Sequence, residues 1–101
     1  MTPANRIEYL PAALKDLEEI FDYIARDNRD AAIQLLNEFD SNIAQLEEFP
    51  QIGVIPKNIR LERVGYRMLI VKKYLIFYVI IENVVEIRRI IHGSRYYDFL
   101  V

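Results

Sequence analysis

The sequence predicts an α+β domain in which an N-terminal strand and an antiparallel helical hairpin pack on one face of a small twisted antiparallel β-sheet. Three observations predict it. The chain has 101 residues, so residues 1–101 make one domain of ordinary size. Apolar residues recur at helical spacings of three and four up to residue 46. From residue 59 onward, β-branched and aromatic residues take over, which is typical of strands.

The first half of the chain predicts a short strand and two helices. Residues 5–9 are the candidate strand, and Pro11 suits a first helical turn, where its missing N–H costs nothing. Asp30 is a candidate cap for the second helix, which should end before Pro50. The helices share an apolar seam, whose expected core residues are Leu17, Phe21, Ile24, Leu36, Phe39, Ile43 and Leu46.

The second half predicts a loop at residues 51–57 and then three strands. The strands are placed at residues 59–69 (interrupted near Gly65), 74–81 and 84–92, with tight hairpin turns at residues 72–73 and 82–83. The second strand is apolar on both of its faces. We therefore expect it to be central in the sheet, with Phe77 and Val79 in the core.

Charge divides the chain into two unequal halves. Residues 1–50 hold eleven acidic and four basic residues, a net charge of −7. Residues 51–101 hold nine basic and four acidic residues, a net charge of +5. A basic half favours an acidic partner or a nucleic acid. The alternative is that the two halves attract each other within one fold.

The types of residue present exclude several kinds of chemistry. The chain has no cysteine, which excludes disulfides, a thiol nucleophile and cysteine-ligated metals. Its three glycines form no phosphate-binding loop, and one histidine among scattered carboxylates gives no metal-ligand spacing. We expect no cofactor and no metal. No apolar run is long enough for a signal peptide or a membrane span, so we expect a soluble, cytoplasmic protein with no membrane partner.

His92, the single histidine, is a candidate acid or base at the end of the last predicted strand. Its ordinary pKa lies near neutrality, which suits proton transfer. The alternative is a structural histidine that hydrogen-bonds to a backbone carbonyl. Tyr96 and Tyr97 follow it and could stack on nucleic-acid bases, although packing within the sheet is the commoner role of tyrosines in strands.

Arginines on or just after the predicted strands are the other candidates, and they are Arg67, Arg88, Arg89 and Arg95. Guanidinium groups on a sheet can hold phosphates or carboxylates in a fixed geometry. Strand alternation puts Arg67 on the face opposite Met68 and points Arg88 and Arg89 in opposite directions. The alternative is a solvated face on which the arginine stems cover apolar strand surface.

Four segments carry a family resemblance, and they are residues 13–24 (ALKDLEEIFDYI), 49–53 (FPQIG), 74–78 (YLIFY) and 90–95 (IIHGSR). In this order and spacing they resemble the RelE/ParE toxin superfamily of type II toxin-antitoxin systems, and more closely its ParE branch. The resemblance implies a bacterial toxin of a plasmid-stabilisation module. Such a toxin is neutralised by a cognate antitoxin whose acidic or amphipathic segment wraps it, with a hetero-oligomer of the two as one form of the complex.

The resemblance implies one of two activities. ParE-like toxins bind DNA gyrase and stabilise its cleaved-DNA state, whereas RelE-like toxins cleave messenger RNA on the ribosome. Arg67 and Arg95 fall where RelE-like enzymes carry basic residues, but Leu69 and Leu75 fall where further basic residues are expected. Loss of one cation that stabilises the charged phosphate lowers such a rate by about 10² to 10³.

The comparison with the two branches favours a gyrase-binding protein over an enzyme. Tyr96 and Tyr97 lie too early to match the RelE-type C-terminal catalytic tyrosine, although His92 could substitute for it as histidine does in some ribonuclease members. For the ParE-like function the expected target-binding residues are Arg67, Arg88, Arg89, His92, Arg95, Tyr96 and Tyr97. For the ribonuclease alternative the expected catalytic residues are Arg67, His92 and Arg95.

Two modes of antitoxin binding remain open from the sequence. An antitoxin segment could add a strand to an exposed edge of the sheet, because an edge strand presents unpaired backbone groups. Alternatively, an antitoxin helix could lie on the Leu36 side of the helical hairpin.

Overall fold

Four strands form one sheet in the computed structural model, which describes residues 5–94 and Leu100. Across the sheet their order is β1-β4-β3-β2, with β1 at Arg6–Tyr9, β2 at Arg67–Val71, β3 at Tyr74–Ile81 and β4 at Val84–His92. The helices are α1 (Pro11–Ala25), α2 (Arg29–Ala44) and α3 (Ile59–Val64), with a 3-10 turn at Gln45–Glu47. The helical hairpin of α1 and α2 covers one face of the sheet, which confirms the predicted α+β architecture.

The first strand differs from the prediction in its direction. β1 pairs with β4 in parallel, with Arg6 opposite Val84 and Tyr9 opposite Ile87, whereas the other two pairings are antiparallel. The expectation of a wholly antiparallel sheet is therefore wrong for this one pairing. The sequence of a four-residue strand does not indicate its direction. The chain between β1 and β4 is long enough for the two strands to pair in either direction.

The second helix begins differently from the prediction. Asn28 caps it, because its side-chain Oδ1 accepts a hydrogen bond from the Ala31 N–H at 3.0 Å. Asp30 lies inside the first turn, where a carboxylate complements the positive end of the helix dipole. The core also differs from the prediction at one position of this helix, since Leu35 is buried and Leu36 is half-buried. Leu17, Phe21 and Ile24 are half-buried too, whereas Phe39, Ile43 and Leu46 are fully buried.

The predicted strand at residues 59–69 is wrong in its first part, which is helix α3. The side chain of Asn58 accepts from the N–H groups of Arg60 and Leu61 at 2.9 and 3.3 Å and so caps the helix. Gly65 ends it in the left-handed region at φ 95°, where a residue with a side chain is strained. Strand β2 starts only at Arg67.

Both faces of the sheet are covered, as the apolar pattern of β3 predicts. Ile76 and Tyr78 of β3 pack with the helical hairpin, whereas Phe77 and Val79 pack on the opposite face. That second cluster also contains Leu61, Tyr66 and Ile91, with Met68, Leu75 and Leu100 partly buried against it. Phe77 and Val79 are therefore core residues, but of the cluster that faces away from the hairpin.

Both predicted hairpin turns are present, and each holds one residue in a strained conformation. Lys72 has φ 54° and Glu82 has φ 56°, in the left-handed region that disfavours residues with a Cβ. The turns therefore contain a small amount of strain that glycine would remove.

We expect Glu82→Gly to raise the free energy of unfolding by about 0.5–1 kcal/mol, because relief of strain exceeds the extra entropy that glycine loses on folding. Asn83→Gly is the matched control, since Asn83 is not in the left-handed region. That variant should be less stable than the parent. Urea unfolding measures both, and a Glu82→Gly protein less stable than the parent would contradict the strain.

Candidate functional site

Arg67 fixes the loop that precedes α3. Its Nη1 donates to the carbonyl oxygens of Gln51 and Gly53 at 3.1 and 3.0 Å. The neighbouring Tyr78 hydroxyl donates to the Pro50 carbonyl at 2.7 Å and accepts from the Gly53 N–H at 2.9 Å. A Cβ at position 53 would lie 2.7 Å from Tyr78 Cε1, so only glycine fits there. We call these five residues the loop clamp.

Burial raises the pKa of the Tyr78 hydroxyl, although the Gly53 N–H and the Arg67 charge act in the opposite direction. The neutral hydroxyl is the form that donates to Pro50. The loop clamp therefore needs Tyr78 protonated, and the Arg67 guanidinium is already bound to two carbonyl acceptors of the protein.

Arg88 lies at an irregularity of the sheet. Phe77 pairs with Arg89 and Tyr78 pairs with Ile87, so Arg88 is an extra residue in β4, a β-bulge. Its Nε donates to Glu86 Oε1 at 2.9 Å, and its guanidinium lies 5.4 Å from the centre of the Tyr66 ring. Burial acts to lower the pKa of Arg88, but its contacts with Tyr66 and Glu86 outweigh burial and raise it.

Arg89 forms a two-point ion pair with Asp16 of α1. Its Nε donates to Asp16 Oδ2 at 2.7 Å and its Nη2 donates to Asp16 Oδ1 at 3.0 Å. The same Oδ2 accepts the backbone N–H of Ile90 at 2.9 Å. Asp16 is the one buried charged residue of the described chain, and its hydrogen bond raises the pKa of Arg89 despite burial.

These three arginines form their hydrogen bonds with three different parts of the protein. Arg67 lies opposite Tyr78 on the hairpin face, as its predicted position opposite Met68 requires. Arg88 packs on Tyr66 on the other face, and Arg89 reaches α1. Arg95, Tyr96 and Tyr97, the remaining predicted site residues, lie outside the described part of the chain.

His92 is exposed at the end of β4. Its Nδ1 accepts from the Ser94 N–H at 3.1 Å and lies 2.7 Å from Ser94 Oγ. Its ring meets Tyr74 edge-on, with 5.5 Å between the ring centres. The Ser94 N–H bond takes up Nδ1 as an acceptor, so in the neutral ring the proton is on Nε2.

His92 borders a cleft of about 280 Å³ between α1 and the ends of β3 and β4. We call it the His92 cleft, and its lining residues are Asp16, Glu19, Ile20, Tyr23, Tyr74, Ile90, Ile91 and His92. Tyr23 is 73% exposed beside it, which is unusual for so large an aromatic side chain. The cleft offers aromatic surface, an exposed imidazole and two carboxylates, of which Asp16 pairs with Arg89 and Glu19 also interacts with the Arg89 charge.

The sequence did not single out Asp16, Glu19 or Tyr23. Asp16 is three residues after Ala13 and four before Ile20, so it falls on the apolar stripe of the first helix. A charged residue on that stripe was the one available indication that Asp16 is buried. Glu19 and Tyr23 fall outside the apolar stripe of the first helix, and nothing in the sequence assigns them to a site. Within residues 5–94 and Leu100, no three potential metal ligands come together and no helix is long and apolar enough to cross a membrane.

We expect Asp16→Asn to lower the free energy of unfolding by about 2–3 kcal/mol, because it leaves the partly buried Arg89 without its counter-ion. The matched control is Glu8→Gln, which breaks the exposed pair of Arg6 and Glu8. Exposed pairs contribute little, so the control should stay within about 0.5 kcal/mol of the parent. Equal losses in urea unfolding for the two variants would contradict the role of Asp16.

We expect stability to fall as the pH rises above about 10, the ordinary tyrosine value, because the raised pKa of Tyr78 keeps it protonated in the fold while the unfolded chain ionises. Burial also raises the pKa of Tyr9 and Tyr74, so part of this loss belongs to them.

Tyr78→Phe should lower the free energy of unfolding by about 1–3 kcal/mol at pH 7.5, since the Gly53 N–H loses its acceptor. It should also reduce the alkaline loss of stability. Tyr23→Phe, at an exposed hydroxyl, is the control. Unfolding curves at pH 7.5 and 10.5 measure both effects, and an unchanged alkaline loss in Tyr78→Phe would contradict the assignment.

Residues 7–97 match the family profile described as the ParE toxin of the type II toxin-antitoxin system parDE. No curated protein sequence matches the chain. Among solved structures, a chain of the chromosomal ParDE toxin-antitoxin system from P. aeruginosa is similar, with a TM-score of 0.73 and 17% identity over 90% of this chain and 98% of that one.

The structural similarity supports the fold, and the family profile covers nearly all of the sequence from β1 onward. The RelE/ParE resemblance, closer to the ParE branch, is thereby confirmed. The chain belongs to the ParE toxin family and is the toxin component of a type II toxin-antitoxin pair, with a cognate antitoxin as its partner.

Proposed function

We propose that this toxin acts in the cytoplasm by binding DNA gyrase and stabilising its cleaved-DNA state, and that it does not cleave messenger RNA. One observation carries the proposal. Arg67, Arg88 and Arg89 are each bound to acceptors within the protein. A ribonuclease needs guanidiniums aimed at the phosphate whose charge develops in the reaction. The same arginines serve the fold here, so a function by binding is the better supported one.

The two leucines where RelE-like enzymes carry basic residues add support. Leu69 is buried in the cluster under the helical hairpin, and Leu75 is partly buried in the cluster on the other face. Leu69 is enclosed in the core beneath the hairpin, and Leu75 packs against an apolar cluster. A basic side chain at either would also lose its hydration without gaining a partner.

His92 is poorly placed for acid–base work. Its Nδ1 is held by Ser94, and in the described part of the chain no carboxylate hydrogen-bonds to the ring. In catalytic histidines a second group commonly orients the ring and stabilises its charged form. His92 is better suited to contact a partner protein, as a polar rim residue of the His92 cleft.

The His92 cleft is the surface that we assign to the target. Exposed tyrosines are among the residues that contribute most to protein interfaces, because they bury a large area with few rotatable bonds. Tyr23 and Tyr74 border the cleft on opposite elements, and His92 lies beside Tyr74. The residues that we assign to target binding are therefore Tyr23, Tyr74 and His92, and the arginines favoured by the sequence are not among them.

Purified, antitoxin-free toxin tests the proposal in a gyrase assay that scores supercoiling and trapped cleaved DNA together. We expect loss of supercoiling with accumulation of cleaved DNA. A folded toxin at micromolar excess that leaves gyrase unaffected, while it cleaves messenger RNA on programmed ribosomes, would contradict the proposal.

Tyr23→Ala and His92→Ala should each weaken gyrase inhibition by about fivefold or more, because truncating a well-placed interface side chain removes about 1 kcal/mol or more of binding. The control is Leu14→Ala, at an exposed apolar position nearer the start of α1. It should inhibit gyrase like the parent. The dose giving half inhibition is the measurement, and equal doses for all four proteins would exclude the His92 cleft as the target surface.

A further inference from the structure

A pocket of about 300 Å³ lies where helices α1 and α2 meet the turn between β2 and β3. Its volume is at the lower end of the range that is typical of small-molecule sites. Its floor is apolar and consists of the buried Leu35 and the half-buried Ile24 and Ala31. Side chains from three separate parts of the chain therefore line one cavity. We call it the lysine pocket, after the two lysines at its rim.

The rim of the lysine pocket is cationic. Lys72 and Lys73 line it on the side of the turn, and both are exposed. Lys72 Nζ pairs with Glu38 Oε1 of α2 at 3.2 Å, whereas Lys73 forms no ion pair within residues 5–94 and Leu100. These three side chains leave one net positive charge at the rim. An anionic group is therefore the favoured occupant of the rim.

Contacts within the protein fix the shape of the pocket before a ligand enters. The Lys72 ion pair joins the turn to α2, and the Gly93 N–H donates to the Lys73 carbonyl at 2.7 Å. The Tyr74 ring, which also lines the pocket, meets the Phe39 ring edge-on with 5.5 Å between their centres. A preformed pocket loses little conformational entropy when a ligand binds, which favours binding.

The floor and the rim together indicate the chemistry of the ligand. A bare anion such as phosphate would meet the lysines but gain nothing from the apolar floor. A carboxylate with an apolar body fits both parts, because its body displaces water from Leu35 while its oxygens accept hydrogen bonds from Lys73 Nζ. The amide of Gln34, another lining residue, is a second donor for the same carboxylate.

We propose that the lysine pocket binds a small amphipathic carboxylate. The apolar chain of this ligand lies on Ile24, Ala31 and Leu35, and its carboxylate is held at Lys73. The ligand is a free small molecule that enters the cavity. The site goes beyond target binding, because it does not depend on what the toxin acts on.

A groove between α1 and α2, which we call the hairpin groove, carries the opposite charge. Its lining residues are Leu17, Glu18, Phe21, Asp22, Leu36 and Asp40. Three of the six are carboxylates, and none of the three forms an ion pair with another described residue. An anionic ligand is repelled there. The lysine pocket is therefore the better site for a carboxylate of the two.

Octanoate is the probe, titrated into the full-length toxin and followed by NMR. The methyl signals of Ile24, Ala31 and Leu35 and the ring signals of Tyr74 should shift and saturate. The methyl signals of Leu61, in the cluster on the opposite face of the sheet, should not move. An absence of shifts at the floor residues would overturn the proposal.

Two other ligands separate the contributions of charge and chain. Octylammonium has the same chain with the opposite charge and should bind about tenfold more weakly than octanoate, since an attraction becomes a repulsion. Acetate lacks the chain and should bind at least tenfold more weakly, because each buried methylene contributes to affinity. Equal binding of octylammonium would show that only the chain is recognised, and equal binding of acetate would show a bare anion site. Either result would overturn the proposal.

Lys73→Gln should weaken octanoate binding about three- to fivefold, because it removes the net positive charge of the rim. It should not weaken the binding of octylammonium. Lys57→Gln is the matched control, since Lys57 is an exposed lysine outside the pocket. It should bind octanoate like the parent, and equal losses for the two variants would overturn the assignment of the carboxylate to Lys73.

Ala31→Leu tests the cavity itself by filling it. This variant should bind octanoate at least tenfold more weakly, and leucine suits a helix almost as well as alanine does. Asn37→Leu, at an exposed position of the same helix, is the control and should bind like the parent. Urea unfolding checks that both variants are folded. A folded Ala31→Leu protein that binds octanoate normally would overturn the proposal.

Vesicles of phosphatidylglycerol distinguish a free ligand from a membrane surface. The toxin should stay in solution when the vesicles are sedimented, because the site is a cavity for one small molecule. Sedimentation that depends on Lys73, with no shifts from octanoate, would show that the lysines bind a lipid surface and would overturn the proposal.

Discussion

The carboxylate of Asp16 joins the helical hairpin to the sheet at the point where the sheet would otherwise be incomplete. Strand β1 ends at Tyr9, and the next residue, Leu10, makes the last backbone bond to β4 at Ile87. Strand β4 continues to His92, and within residues 5–94 and Leu100 no strand pairs with it on that side beyond Ile87. Asp16 takes the place of the missing strand, because it accepts the Ile90 N–H and pairs with Arg89. The position of α1, and with it the His92 cleft, depends on this one buried carboxylate.

Charge has a similar structural use in the arginines of the described strands, because each of them is bound to an acceptor within the protein. Arg88 lies at a bulge and contacts Tyr66, the neighbouring Arg89 pairs with Asp16, and Arg67 binds loop carbonyls. Three surfaces of the described chain are available to partners, and they differ in their chemical character. The His92 cleft is aromatic, the hairpin groove is rimmed by carboxylates, and the lysine pocket has an apolar floor and a cationic rim. A toxin that must bind a target and an antitoxin can use separate surfaces for them.

Sequence patterns predicted the regular parts of this fold and missed those that depend on distant contacts. The bounds of β3 and β4 match the prediction because alternating apolar residues and two-residue turns are local signals. Helix α3 was missed because Ile59 and Val64 favour strands, and only Asn58 and Gly65 marked its ends. The roles of Arg67 and Arg89 could not be predicted, since their acceptors lie 14 and 73 residues away in the chain. His92 was singled out from the sequence because it is the single histidine, whereas Tyr23 gave no signal beyond its size.

The central claim is that this protein acts by occupying its target and has no turnover. A titration of toxin against a fixed amount of gyrase, and in parallel against a fixed amount of ribosome-bound messenger RNA, tests it most directly. The account predicts that trapped cleaved DNA rises with toxin and saturates near one toxin per gyrase binding site, while the messenger RNA stays intact. Complete cleavage of the messenger RNA by a small fraction of an equivalent of toxin would contradict it, because only an enzyme consumes an excess of substrate.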